Sequence, residues 1–186
     1  MSYLNKILHE AKKYGWGLIL IHRDVLKRHI AYALSRFDVV RLLDIGSWNC
    51  LLWNWIKEAF PKDYHRIEYI GIDVLEPPNR VQDVKFYIMS PTYLMFPSDS
   101  FHVVTMIEVL EHIFDYTLAL REAYRVLKPN GVLFIQSVIC TDKNALHDET
   151  HYHVLHPRTL SRLLEHLGFE VVESREDGNF YVVGYK

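Results

Sequence analysis

The chain has 186 residues, 49% of them apolar and 24% charged, and its 21 Lys and Arg against 23 Asp and Glu leave a net charge of −2. That length holds one domain with a sizeable core, the composition excludes a disordered or fibrous chain, and the charge excludes a global attraction to nucleic acid or anionic membrane. Two cysteines are too few for a disulfide framework, the N-terminus lacks a signal-peptide pattern, and no apolar run approaches the ~20 residues of a membrane helix, so a reducing cytoplasm is the expected location.

Apolar residues at helical spacing predict helices over 2–13 and 18–36, separated by Gly15 and Gly17. Up to Arg36 seven basic residues face two acids, a pattern ordinarily explained by a solvated helical face. From Val39 onward short apolar runs alternate with helical stretches, which predicts βα units and a mainly parallel sheet. The runs are 39–45, 67–72, 84–89, 101–107 and 132–138, and their nearly continuous apolar character predicts strands covered on both faces. Helices are expected over 51–60, 116–127 and 157–167, the last ended by Gly168. Segments 170–174 and 180–183 flank an Asp177-Gly178 turn signal and predict a terminal antiparallel hairpin. The stretch 74–83, with Pro77-Pro78, is short for a helical crossover and predicts a loop or single turn.

Ligands of doubly wound sheets bind beyond the carboxyl ends of the strands. The first strand runs through Asp44-Ile45-Gly46-Ser47-Trp48-Asn49-Cys50 into a helix, where backbone N–H groups favour an anionic or carboxylate-bearing ligand and Gly46 permits close approach. Asp73 closes the second strand, where a carboxylate accepts two hydrogen bonds from a ribose diol. A dehydrogenase fingerprint needs a second and third glycine at fixed offsets, and both are missing.

Six ordered segments carry a family likeness: Leu42 to Gly46, Gly71-Ile72-Asp73, Leu94 to Val104, Val109-Leu110-Glu111-His112, Arg125 to Leu133, and His156 to Val171. Together they resemble the class I S-adenosylmethionine-dependent methyltransferases, over residues 39–186. The resemblance implies a Rossmann-like, doubly wound, mainly parallel seven-stranded sheet with a C-terminal antiparallel hairpin in an αβα sandwich, preceded by a helical extension or lid over 1–38. It implies S-adenosyl-L-methionine as cofactor, with Asp44, Gly46, Ser47, Trp48, Asp73, Val74, Ser90, Pro91 and Glu108 around it and Asp73 on the ribose. It implies a small-molecule acceptor, with RNA as a second acceptor class. Ser90 stands where the family often has an adenine-binding Asp, and His102 where it usually has Asp. The family repeats glycine at every second place of the first loop; here those places are Gly46, Trp48 and Cys50. These departures keep a second reading open, a methyltransferase-like module that has lost catalysis and acts by binding.

Glu108, Glu111 and His112 follow the fourth strand at spacing i, i+3, i+4, so a helical turn opening at Glu108 would project all three from one side. Two carboxylates and an imidazole suit a divalent metal ion, with a fourth ligand from the His147–His153 stretch. This arrangement resembles metal-dependent 2'-O-methyltransferases of small RNAs and some quinone-pathway O-methyltransferases, and by that likeness His151 is the distal ligand, with His153 and His147 as alternatives. Many relatives carry a Glu-His pair here without metal. Glu108, His112 and His151 are therefore also the catalytic candidates, His151 as a general base.

Overall fold

The computed structural model describes residues 19–77 and 79–186. The expected helix over 2–13 lies outside them. Helix α1 (Arg23–Arg36) leads into β1 (Val40–Ile45), α2 (Leu51–Ala59), β2 (Ile67–Asp73), β3 (Lys85–Ile88), β4 (Phe101–Ile107), α3 (Tyr116–Val126) and β5 (Leu127–Ser137). A short helix α4 (Lys143–His147), helix α5 (Pro157–Leu167), β6 (Glu170–Asp177) and β7 (Asn179–Tyr185) complete the chain. The seven strands form one sheet in the order β3-β2-β1-β4-β5-β7-β6, with β7 antiparallel to both of its neighbours.

Strand alternation assigns the two faces. Leu43, Ile45, Ile70, Ile72, Val104, Met106, Leu133 and Ile135 pack with residues of α3 and α5. Val40, Leu42, Tyr69, Val103, Val132 and Phe134 pack against α1 and α2. Arg23–Arg36 is thus an integral part of the sandwich, burying Leu26, Ile30 and Ala33. The strand order reverses between the parallel neighbours β1 and β4, which opens a crevice at their carboxyl ends.

Three elements differ from expectation. The helix expected over 18–36 begins only at Arg23, because the N–H groups of Ile21 and His22 are held by the Gln136 side chain at 2.9 and 3.1 Å instead of entering a helical turn. Strand β3 lies at the sheet edge, leaving Tyr87 and Ile88 exposed. Helix α4 was not expected; five residues are too few to display a 3.6-residue period, although Asp142 caps it by accepting from the Asn144 N–H at 2.9 Å. Among the described residues no helix is long and apolar enough to cross a membrane.

Candidate active site

The carboxyl ends of β1, β2 and β4 surround a cavity of about 660 Å³, within the range that holds a cofactor-sized ligand. Its first wall is the turn after β1. The Gly46 and Ser47 N–H groups donate to the Ile72 carbonyl at 2.9 and 3.0 Å, folding the turn against β2. A Cβ on Gly46 would strike the Val109 side chain, and one on Gly71 would lie 2.5 Å from Ser47 Oγ and 2.8 Å from Cys50 Sγ. Glycine at both places is what lets the turn, β2 and the segment after β4 close together.

Trp48 and Cys50 occupy the places where glycine was expected, yet their φ angles are +42° and +60°. The turn keeps a left-handed backbone there at a cost of about 1–2 kcal/mol per side chain. Trp48 donates its N–H to Asp73 Oδ2 at 2.9 Å, and Asp73 Oδ1 accepts from the Val74 N–H at 2.8 Å. Asp73 therefore ties the first turn to the end of β2, and Trp48 and Val74 line the same cavity. Burial raises the Asp73 pKa, opposed by those N–H donors. Burial pushes the Cys50 thiol up to about 11, which keeps it a protonated packing group.

Asp44 lies beneath the turn. It is 4% exposed and accepts from Tyr69 Oη at 2.5 Å and Thr105 Oγ1 at 2.7 Å. Both oxygens are thus engaged by the protein, and desolvation raises the carboxyl to about 6. Ser90, on the exposed stretch after β3, pairs with Thr92 Oγ1 at 2.8 Å, and Ser90 and Pro91 line the cavity. His102 lies outside the cavity lining, accepting the Arg41 N–H at 2.9 Å.

The segment after β4 brings the titratable cluster into the same cavity. Glu108 has φ +50°, so the helical turn expected to open there does not form; a 3₁₀ turn covers Leu110–His112 instead. This corrects the expected helical turn, while Glu108, Glu111 and His112 all line the cavity. Among the described residues the donor atoms that converge, within 4.8 Å of one another, are those of Glu111, His112 and His151. Glu108 Oε1 accepts from Gln136 Nε2 at 2.8 Å and from Asn179 Nδ2 at 2.7 Å. Burial, followed by the Glu111 carboxylate, pushes Glu108 up to about 7.

His151 arrives because Tyr152 and His153 donate their N–H groups to the Glu111 carbonyl at 2.9 and 3.3 Å. Of the three histidines considered there, His153 instead contacts the Phe114 carbonyl at 2.8 Å and His147 ends α4. His112 Nδ1 lies 3.0 Å from the Thr150 carbonyl and His151 Nδ1 2.8 Å from the Ala145 carbonyl. A carbonyl only accepts, so each Nδ1 carries a hydrogen, and His151 Nε2 lies 3.7 Å from Asp148 Oδ2. Ser137 Oγ donates to Glu111 Oε2 at 2.8 Å. Two imidazoles and a carboxyl group, each oriented by an outer hydrogen bond, form a donor set that fits a divalent cation, which the rings would bind in their neutral form and Glu111 against the rise that burial gives its pKa. Burial holds the His112 pKa low, which favours that neutral form. Tyr69, Thr105, Gln136 and Ser137 were not anticipated as supports; their signal was a polar residue inside an apolar strand.

A doubly wound sheet whose first two strands end in a glycine turn and a linked acid is the architecture of the Rossmann-like nucleotide-binding class. Within that class, the family described as "Methyltransferase domain" matches residues 20–174, and the chain belongs to it. A ubiquinone biosynthesis O-methyltransferase of Azorhizobium caulinodans is 26% identical over 149 residues, 74% of this chain and 55% of that protein. A ubiquinone/menaquinone biosynthesis C-methyltransferase UbiE of Rickettsia bellii is 43% identical over 53 residues, 28% of this chain and 21% of that protein. The chain therefore spans from about a fifth to just over half of these curated relatives. Among solved structures, a Burkholderia thailandensis 1,6-didemethyltoxoflavin-N1-methyltransferase with bound 1,6-didemethyltoxoflavin and S-adenosylhomocysteine superposes with TM-score 0.73 at 17% identity, covering 99% of this chain and 87% of that one. A SAM-dependent methyltransferase from Archaeoglobus fulgidus gives TM-score 0.68 at 21% identity, covering 97% and 99%. The fold is that of S-adenosylmethionine-dependent methyltransferases.

Proposed function

We propose that this chain transfers a methyl group from S-adenosylmethionine to a hydroxyl of a neutral or cationic small molecule, assisted by a divalent cation at Glu111, His112 and His151. The observation that carries this reading is that one cavity is lined both by the Gly46–Trp48 turn with Asp73 and by that three-residue cluster. When bound, S-adenosylmethionine supplies an electrophilic methyl on a sulfonium, and a divalent cation supplies a Lewis acid that acidifies the acceptor hydroxyl.

The chain's own residues do the positioning. Asp73 Oδ2 takes one N–H and keeps a second lone pair for a ribose hydroxyl. Gly46 allows the amino-acid part of the cofactor to approach the backbone, and Ser90 and Pro91 border the expected adenine end. In the transfer the acceptor oxygen forms the new O–C bond as the S–C bond breaks, the electron pair passes to sulfur, and, where a cation would hold His151, the hydroxyl proton passes to solvent water. His151 Nε2 is the proton acceptor when the reaction runs without a cation.

Electrostatics support the acceptor class. The described lining contains seven carboxylic residues and no Lys or Arg, which favours a sulfonium and disfavours RNA phosphate or another anion. The ubiquinone biosynthesis O-methyltransferase relative supports a hydroxyl acceptor.

The test is labelled-methyl transfer to a panel of aromatic hydroxyl compounds and to RNA oligonucleotides, with Mg²⁺, Mn²⁺ or Zn²⁺ and with chelator. The expected result is turnover on a small hydroxyl acceptor, raised at least tenfold by one cation and lost in Glu111→Ala and His112→Ala. Turnover indifferent to chelator contradicts the cation, and transfer confined to RNA contradicts the acceptor class.

A further inference from the structure

Gln136 continues the inward row of Val132 and Phe134 on β5 and is fully buried. A buried primary amide has two donors and two acceptor positions to satisfy. Here all four are used. Oε1 accepts from the Ile21 N–H at 2.9 Å and the His22 N–H at 3.1 Å. Nε2 donates to the Ile19 carbonyl at 2.6 Å and to Glu108 Oε1 at 2.8 Å. The partners leave one orientation of the amide, because two N–H groups require its oxygen while a carbonyl and a carboxylate require its NH₂.

The segment so held bears on the site directly. Ile19 lines the cavity, as does Glu108. Leu20 is buried in the core and anchors the segment from one side, while Ile19 and Ile21 are about half exposed, so the backbone on either side of Leu20 depends on the Gln136 hydrogen bonds. The side chain that fixes this part of the cavity wall therefore also holds the neighbouring Glu108 carboxyl group.

We propose that Gln136 is a positioning residue that seats Ile19–His22 as a wall of the methyl-transfer cavity and couples that wall to Glu108, so that a ligand in the cavity steadies the segment. The seating stands on the hydrogen bonds alone; the coupling rests on the cavity being the methyl-donor site. The mechanism is reciprocal: a ligand that favours the seated wall binds more weakly when the seat is removed.

The test reads backbone hydrogen exchange at Ile21 and His22 in the full chain, without ligand and with saturating S-adenosylhomocysteine, in wild type and Gln136→Leu. In wild type both amides should exchange at least about 100-fold slower than in an unstructured peptide, and several-fold slower again with ligand. In Gln136→Leu their protection should fall at least tenfold while Val104 and Leu133 stay protected, and S-adenosylhomocysteine should bind at least threefold more weakly. Unstructured exchange rates at Ile21 and His22 in wild type would overturn the seating without any variant having to fold. So would unchanged protection in a folded Gln136→Leu. Equal ligand-induced slowing in both proteins would overturn the coupling. Absence of S-adenosylhomocysteine binding to wild type, read by calorimetry on the same samples, would overturn the coupling together with the methyl-donor reading and leave the seating to the ligand-free comparison.

Discussion

Trp48 and Cys50 show how a residue can depart from a family pattern while its backbone does not. Both sit at positive φ, so the turn keeps its shape, and the Trp48 N–H reaches Asp73 as part of that shape. Replacing Trp48 with Gly should preserve the turn but remove a ring from the cavity lining. Titration calorimetry should then show S-adenosylhomocysteine binding at least fivefold more weakly than wild type. Tighter binding by Trp48→Gly would mean that the ring obstructs the site, as expected of a module that has lost catalysis. Asp44 carries a second prediction at this scale. Its carboxyl is raised from 3.8 to about 6, chiefly by desolvation and against the Tyr69 and Thr105 hydrogen bonds. The folded state therefore binds the Asp44 proton more tightly than the unfolded state does. The stability linked to that proton is present below about pH 4 and lost as pH rises to about 6. Denaturant unfolding of wild type relative to Asp44→Asn should show the difference falling by about 3 kcal/mol over that window and flat above it, at about 1.4 kcal/mol per pH unit. A difference that does not change with pH would contradict this account of Asp44.

At the scale of elements, legibility followed length and periodicity. Helices α2, α3 and α5 were readable because each offers an apolar stripe over at least two turns, and Gly168 was readable as a stop. Gly168 has φ +105°, and its N–H closes onto the Glu165 carbonyl. A Cβ there would lie 2.9 Å from Tyr124 Oη. Gly168→Ala should cost about 1–2 kcal/mol in urea unfolding, and Tyr124→Phe should recover only part of it, since the strained φ remains. A neutral Gly168→Ala would show that the cap can change conformation. Two local features escaped a linear reading. The start of α1 is set by Gln136, more than a hundred residues away in sequence. The left-handed φ of Glu108 replaces the helical turn that i, i+3, i+4 spacing presupposed, although Glu108, Glu111 and His112 line one cavity. Spacing along a chain presupposes a regular helix, and one positive φ breaks that premise.

For the whole molecule, the parallel core and terminal hairpin were legible from alternating apolar runs, and the two faces of the sheet follow from strand parity. The same parity organises the site's supports. On β5, Gln136 turns toward the α1 face and meets Ile19–His22, while the next residue, Ser137, turns to the other face and meets Glu111. A sequence pattern alone shows polar residues interrupting an apolar strand but not which distant groups they meet. The basic residues near the N-terminus read as a solvated helical face, and the described cavity lining, which is acidic, includes none of Arg23, Lys27 and Arg28. We propose above all that this cavity receives a sulfonium nucleoside through the Gly46 turn and Asp73. Titration calorimetry of the folded chain with S-adenosylhomocysteine, beside Asp73→Ala, tests it most directly. Micromolar binding by wild type, weakened at least tenfold in the variant, is the predicted result; no binding by folded wild-type protein, or equal binding by both, would contradict it.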